Sequence, residues 1–92
     1  MLKIKRSGNF DKMLGTFDQD PETITLVGDK IKLFRKNPSD TRLHNHALRK
    51  KMKGKFAFNV TGDIRIVYEW LGKNSVRFLA IGSHSQVYRK AP

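Results

Sequence analysis

The sequence lacks the residues that several classes of protein need. None of its 92 residues is cysteine, which excludes a disulfide framework, a thiolate metal site and a cysteine nucleophile. The longest apolar runs are four or five residues, too short to span a membrane, and residues 1–6 do not form the apolar stretch of a signal peptide. We therefore expect a cytoplasmic location and no membrane partner.

Acidic residues are also scarce. Eight aspartates and glutamates stand against nineteen lysines and arginines, which gives a formal net charge of +11. Most of the excess falls in the second half, and residues 42–55 hold six basic residues and no acidic one. Such a charge attracts polyanions, chiefly nucleic acid, or an acidic protein partner. A basic surface that serves only solubility is the alternative.

The first half of the chain is predicted to be helical after one short strand. Residues 2–6 alternate apolar and charged side chains, as a half-buried strand does. Apolar residues at helical spacing then predict a helix over residues 10–17, with Asn9 as its N-cap. A second helix begins after Asp20 and ends at Asn37-Pro38. The two helices are predicted to form a hairpin whose apolar side packs on a sheet.

The second half is predicted to be a sheet. Residues 56–60, 64–71 and 76–81 alternate with a period of two and are separated by short turns. A chain this short has room for one core, so we expect residues 1–92 to form a single α+β domain. The predicted order is β-α-α-β-β-β, with the two-helix hairpin packed on one face of a twisted antiparallel sheet whose other face is partly open.

Histidine and arginine are the candidate chemical groups. Because imidazole is the side chain best suited to proton exchange at physiological pH, His46 and His84 are candidates for acid and base. Solvated loop histidines are the simpler interpretation, above all for His44. The three histidines have no nearby carboxylate or thiolate to complete a metal site. Arg65 lies inside an apolar strand, where it either pairs with Asp63 or Glu69 or offers its guanidinium to a phosphate. The cations predicted to contact RNA are Arg42, Arg49, Lys50, Lys51, Lys53, Lys55 and Arg89.

Several short motifs in fixed order resemble a known family. They are LHNHAL at residues 43–48 with Gly54 after it, GDIRIVY at 62–68, IGSH at 81–84 and Val87-Tyr88. Over about residues 1–90 the chain resembles the RelE/ParE superfamily of bacterial type II toxins, most closely the YafQ-like mRNA interferases. The resemblance implies the RelE-like microbial RNase fold. It also implies cleavage of mRNA in the ribosomal A site and inhibition by a cognate antitoxin.

The resemblance also implies roles for particular residues. His46, Asp63 and His84 match site residues of YafQ-like toxins, Arg65 matches a strand arginine that contacts phosphate, and Tyr88 stands where the family has an aromatic residue. The chain departs from the family on the preceding strand, where FAFN at residues 56–59 offers no titratable group.

The implied reaction needs no metal ion or other cofactor. The substrate's 2′-hydroxyl attacks the phosphate while one side chain accepts a proton and another donates one. His46 and His84 are the candidates for these two roles, and the sequence leaves open which is the base.

Two other functions remain open at this point. ParE-like members of the superfamily inhibit DNA gyrase and cleave no RNA, and a basic module that binds RNA or the ribosome without catalysis would need the same charge. An antitoxin, if present, is expected to be acidic or to have an acidic toxin-binding segment. Leu26 and Leu33, which lie off the main stripe of the second helix, either contact it or widen the core face.

Overall fold

A mixed five-stranded sheet forms the centre of the molecule, with helices on both of its faces. The computed structural model describes residues 1–90, with the side chains of residues 1–88. The predicted domain also includes residues 91 and 92, which lie outside the described residues. In chain order the elements are β1 (Lys3–Arg6), α1 (Gly8–Gly15), α2 (Pro21–Lys36), a 3-10 turn (Thr41–Leu43), β2 (His46–Ala47), a second 3-10 turn (Lys50–Met52), β3 (Phe56–Asn59), β4 (Ile64–Gly72), β5 (Ser75–Ser83) and α3 (His84–Lys90).

The α+β class is confirmed, but the predicted order is incomplete. β2 and α3 were not predicted, because a strand of two residues shows no periodicity and the stretch after β5 has few apolar residues. The strands lie in the order β1-β5-β4-β3-β2.

The sheet was predicted to be antiparallel throughout, and this prediction is wrong. β1 pairs with β5 in parallel, Lys3 opposite Ser75. Parallel neighbours need a long crossover connection, and α1 and α2 lie in the chain between these two strands.

Local capping explains where the two predicted helices begin. Asp20 accepts hydrogen bonds from the Thr23 amide at 3.2 Å and the Thr23 hydroxyl at 2.7 Å, which lowers the pKa of its carboxyl, and Pro21 occupies the first helical position as predicted. The N-cap of α1 is Ser7 and not Asn9, since the Ser7 hydroxyl accepts from the Phe10 amide at 3.0 Å. Asn9 instead donates its side-chain amide to the Leu79 carbonyl at 2.9 Å, which ties α1 to β5.

The face of the sheet under α1 and α2 carries the larger core, and we call it the helix face. The Phe34 ring stacks on Phe58 at 4.5 Å and meets Tyr68 edge-on at 4.8 Å. Leu33 packs against this core, so it widens the core face, whereas Leu26 remains 41% exposed. Ile24, predicted as part of the apolar stripe, is 36% exposed. The predicted packing of the helical hairpin on the sheet is confirmed.

The opposite face of the sheet, which we call the site face, is covered as well. A second cluster contains Ala57, Val67, Leu79, Ala80 and Val87. Val87 belongs to α3, and Leu48 and Met52 pack against the cluster from the segment between β2 and β3. The expected partly open face is therefore closed over its centre and open at its edges. Among the described residues, no helix is both long enough and apolar enough to cross a membrane.

Candidate functional site

Arg65 and His84 are in direct contact on the site face. Arg65 is the second residue of β4 and lies opposite Gly82 of β5. His84 begins α3, directly after β5 ends at Ser83. The Arg65 Nη1 atom lies 2.9 Å from His84 Nδ1. The register of two long strands therefore brings together two residues that are nineteen positions apart in the sequence.

The first turn of α3 fixes the position of His84. The Ser83 amide donates to Gln86 Oε1 at 2.8 Å, and the Gln86 amide donates to the Ser83 hydroxyl at 3.4 Å. This is a reciprocal cap, in which each side chain satisfies the other residue's backbone amide. A Cβ on Gly82 would lie 2.8 Å from Gln86 Oε1, so the glycine leaves the space that the Gln86 amide occupies. Because His84 lies between the two capping residues, the cap holds it beside Arg65.

Tyr88 flanks His84 on the next turn of α3. The two rings meet edge to face with their centroids 4.4 Å apart. His84 is exposed, whereas Tyr88 is half-buried and packs against the cluster of the site face. Arg65, His84 and Tyr88 therefore form one contiguous group at the edge of the site face. The side chain of Arg89, predicted to contact RNA, lies outside the described residues.

The neighbours of the two candidate histidines fix where each carries its proton. A guanidinium can only donate hydrogen bonds, so His84 Nδ1 must accept from Arg65, and a neutral His84 carries its proton on Nε2. His46 Nδ1 lies 2.9 Å from the His44 carbonyl oxygen, which can only accept. A neutral His46 therefore carries its proton on Nδ1 and leaves Nε2 free. The two histidines have opposite tautomers, one with a donor and one with an acceptor free to meet a substrate.

The structure does not bring all predicted site residues into contact. His46 lies opposite Ala57, and Ala57 belongs to the site face. Because β2 is three strands away from β5, their backbones are roughly 14 Å apart. Asp63 is exposed in the turn before β4, and among residues 1–88 it forms no ion pair. Its side chain therefore does not pair with Arg65, which was one interpretation of the sequence.

Most of the predicted RNA-binding cations lie in the chain segment between β2 and β3. Arg49, Lys50, Lys51 and Lys53 are exposed there, and Lys55 is half-buried. Arg42 differs from them because it is bound to Asp40, with its Nε at 3.0 Å and its Nη2 at 2.8 Å from the carboxylate oxygens. These hydrogen bonds lower the pKa of Asp40 to about 2. The charge of Arg42 is therefore largely neutralised by Asp40.

Sequence reasoning missed three residues that shape this site. The pattern Ser83-x-x-Gln86 is a capping-box signal and could have revealed both the start of α3 and the role of Gln86. Asn59 lies directly opposite Arg65 on β3, and no sequence pattern identifies it. Among the described residues, Asn59 Oδ1 and Arg65 Nε are buried atoms that lack a hydrogen-bond partner. Within the same part of the chain, no group of three or more His, Cys, Asp or Glu side chains could hold a metal ion.

Comparison with known proteins gives one family and a consistent set of folds. Residues 2–89 match the sequence model of the family described as the YafQ bacterial toxin of type II toxin-antitoxin systems. A comparison with curated protein sequences found no significant match. The crystal structure of Escherichia coli YafQ is 21% identical with a TM-score of 0.80, and the match covers 96% of this chain and 99% of that one.

Two further solved structures show the same fold. YafQ in the E. coli DinJ-YafQ complex is 21% identical with a TM-score of 0.78, over 96% of this chain and 99% of that one. A copper-bound mutant toxin from Helicobacter pylori is 26% identical with a TM-score of 0.77, over 95% of this chain and 99% of that one. These likenesses extend over nearly the whole of this chain and of each relative.

Proposed function

The chain belongs to the YafQ family of toxins of bacterial type II toxin-antitoxin systems, and from this premise we propose that it is an mRNA interferase, an endoribonuclease that cleaves mRNA on the ribosome. The observation that carries the proposal is the contact between Arg65 and His84 beside Tyr88. The contact supports the proposal because a guanidinium can bind a phosphate, an imidazole can transfer a proton, and an aromatic ring beside them can stack on a base.

The reaction uses the free Nε2 atom of each histidine. The substrate's 2′-oxygen attacks phosphorus, a new P–O bond forms, and the bond to the 5′-oxygen breaks to leave a 2′,3′-cyclic phosphate and a 5′-hydroxyl. To act as the acid, His84 must be an imidazolium, which forms when the substrate's phosphate draws the Arg65 guanidinium away from Nδ1. It then gives its Nε2 proton to the leaving 5′-oxygen and becomes neutral, while Arg65 stabilises the charge on the phosphate. His46, with Nε2 unprotonated, accepts the proton of the 2′-hydroxyl as the base.

The separation of the two histidines is consistent with an in-line reaction. In such a displacement the attacking and leaving oxygens lie on opposite sides of phosphorus, so the base and the acid must approach from opposite sides. His46 approaches from β2 and His84 from the other side of β3 and β4. The 2′-hydroxyl must then point toward β2 and the leaving oxygen toward α3. Tyr88 stacks on or orients a base. Asp63, exposed in the turn before β4, is the remaining candidate site residue.

A cognate antitoxin is the second partner that we propose. The E. coli relative is found in a complex with DinJ, and this chain carries a formal net charge of +11. An acidic antitoxin, or an acidic segment of one, complements that charge. The proposed setting for both partners is the bacterial cytoplasm, where the mRNA and the ribosome are present.

The experiment is translation in vitro of a defined mRNA with the purified protein, followed by primer extension to map new 5′ ends. The wild-type protein should cut at A-site positions, and His84→Ala and Arg65→Ala should each lose cleavage by about 100-fold or more. Ser85→Ala is the matched control, because Ser85 is the exposed neighbour of His84 in the same helical turn. It should cleave as the wild type does.

Two results would contradict the proposal. Full cleavage by both His84→Ala and Arg65→Ala would show that the site lies elsewhere. Intact mRNA and normal translation with the wild-type protein would argue against an RNase, and a DNA gyrase supercoiling assay would then test the ParE-like activity.

A further inference from the structure

An open hollow of about 650 Å³ lies beyond the end of α2, on the helix face. Its floor is formed by three aromatic side chains from β3 and β4, namely Phe56, Tyr68 and Trp70, and its wall by the connection from Pro38 to Ala47. Both residues of β2, His46 and Ala47, line the hollow, and this strand is two residues long and exposed. We call this hollow the aromatic groove.

The floor of the aromatic groove is a continuous row of rings. Phe56 stacks with Tyr68 at a centroid distance of 5.6 Å, and Tyr68 meets Trp70 edge-on at 6.1 Å. Tyr68 is buried, while Trp70 remains 39% exposed. The row therefore begins inside the core and ends in a large flat ring that solvent, or a ligand, can reach.

Hydrogen bonds hold the wall of the groove against this floor. The Tyr68 hydroxyl donates to Asn45 Oδ1 at 2.9 Å, and the Asn45 amide donates to the Pro38 carbonyl at 2.9 Å. Burial raises the pKa of Tyr68, so its hydroxyl keeps the proton that it donates. The groove is thus formed before any ligand arrives, and a ligand would not have to order it.

The chemistry of the rim favours a nucleobase over an aliphatic side chain. Ser39 and Thr41 place exposed hydroxyl groups at the rim, and His44 adds an exposed imidazole. The acid of the rim, Asp40, is paired with Arg42 at 2.8 Å, which reduces its repulsion of a phosphate. Stacking on an aromatic ring accepts any base, and polar groups around it meet the base edges.

Charge also favours RNA as the occupant. Residues 42–55 include both the wall residues of β2 and the basic cluster around the second 3-10 turn. They hold no acid and, besides Arg42, which is paired with Asp40, five cations. An RNA backbone held by these cations would pass the short edge strand β2, where His46 lines the aromatic groove. Counterion release at such cations draws in a polyanion and not a neutral or basic peptide.

We propose that the aromatic groove binds a nucleobase of single-stranded RNA by stacking on Trp70, as a subsite separate from the Arg65–His84 group. The proposal rests on the proposed function for the choice of RNA as the ligand. The groove itself, its exposed ring and its polar rim do not depend on catalysis.

Trp70 is the sole tryptophan of the chain, so its fluorescence reports on this groove alone. The probe is a 2′-O-methylated hexaadenylate, which lacks the attacking hydroxyl and cannot be cleaved. Binding of the probe should quench Trp70 emission. In parallel, the anisotropy of a fluorescein-labelled probe measures affinity for the wild-type protein and its variants at several salt concentrations.

Trp70→Ala should weaken binding by about 5- to 150-fold, which is the range for loss of one stacked base. Its salt dependence should match that of the wild type, because no phosphate contact is lost. Leu71→Ala is the matched control, since Leu71 is 40% exposed against 39% for Trp70 but does not line the groove. Lys51→Ala should instead reduce the salt slope by about one unit.

The outcomes of these measurements distinguish failure of the groove proposal from failure of the proposed nuclease function. Equal affinities for Trp70→Ala and Leu71→Ala, with no quenching, would overturn the groove proposal even if the protein cleaves mRNA on the ribosome. Quenching and selective loss in Trp70→Ala would support it even if no cleavage is found, in which case the proposed nuclease function would fail alone. Quenching by an acidic peptide and not by the oligonucleotide would overturn it in favour of a protein partner.

Discussion

The two faces of the sheet differ in the size of the side chains at their centres. The helix face is filled with large rings, including Phe34, Phe58 and Phe78, which are all fully buried and contact one another at 4.5 to 5.9 Å. The centre of the site face has small side chains at Ala57 and Ala80. Large rings maximise the apolar area removed from water, so most of the stability should come from the helix face.

The faces also differ in how their polar groups are satisfied. On the helix face the Tyr68 hydroxyl has a partner in Asn45. On the site face Asn59 Oδ1 and Arg65 Nε are buried without one, as far as the described residues show. Each such atom costs about 1–3 kcal/mol, and the two lie on directly opposed residues of β3 and β4. A fold that keeps this cost beside Arg65 and His84 sacrifices stability at the place where chemistry is proposed.

The largest effect should come from removing a ring of the helix face. Phe34→Ala should lower the free energy of unfolding by about 3–5 kcal/mol, because it removes the stacked contact with Phe58 and leaves a cavity in the core. Urea denaturation followed by circular dichroism measures the change. The molecules that stay folded should retain the Arg65–His84 contact and the cleavage that depends on it.

Leu26→Ala is the matched control for this prediction, since Leu26 is in the same helix but 41% exposed. Its effect should stay within about 0.5 kcal/mol. If the two variants had equal stability, the contrast between a stabilising face and a chemical face would be wrong.

The helix face was also the part that could be predicted from the sequence. The helices follow local signals, such as Asp20 before Pro21 and the stripe that ends at Phe34, and the long strands show their period. The parallel pairing of β1 could not be predicted, because it depends on where the chain returns and not on the four residues of that strand. Asn9 was assigned as a cap because its side chain can accept a hydrogen bond, but Ser7 occupies that place.

The site face could be predicted in residue type but not in arrangement. Arg65 was predicted to contact a phosphate and His84 to transfer a proton, and the structure shows their side chains 2.9 Å apart. That contact depends on the register of β4 and β5, which contains two irregularities. The tautomers of His46 and His84 depend on single atoms that only the fold places beside their rings. The roles of His46, Asp63 and the basic cluster stay predictions.

At the site face we expect a substitution to lower stability less than Phe34→Ala does and to lower activity more. Gln86→Ala removes the cap on the Ser83 amide and should cost about 1 kcal/mol of stability. Because the cap holds His84 beside Arg65, cleavage should fall by clearly more than the folded fraction does. Nitrogen-15 NMR of the His84 ring should show loss of the single tautomer with its proton on Nε2.

Gln86→Glu separates positioning from stability, since a glutamate oxygen can accept the same hydrogen bond from Ser83. This variant should restore the tautomer and most of the cleavage. If Gln86→Ala kept both the tautomer and full cleavage while losing stability, Gln86 would be a structural cap only, and the site face would be less finely arranged than we infer.

The smallest effect should appear in the connection between α2 and β2, where Asp40 binds Arg42. Asp40→Asn keeps a side-chain oxygen for the Arg42 amide, which lies 2.9 Å away, and removes the charge. The hydrogen bonds from Arg42 lower the pKa of Asp40 from 3.8 to about 2 in the folded protein. The wild type should therefore be the more stable protein above pH 4, and its advantage should shrink as the pH falls from 4 to 2 and the carboxylate is protonated. Thermal unfolding of both proteins across that range measures the difference, and a gap that stays constant to pH 2 would mean that the charge of Asp40 contributes nothing to the stability of this connection.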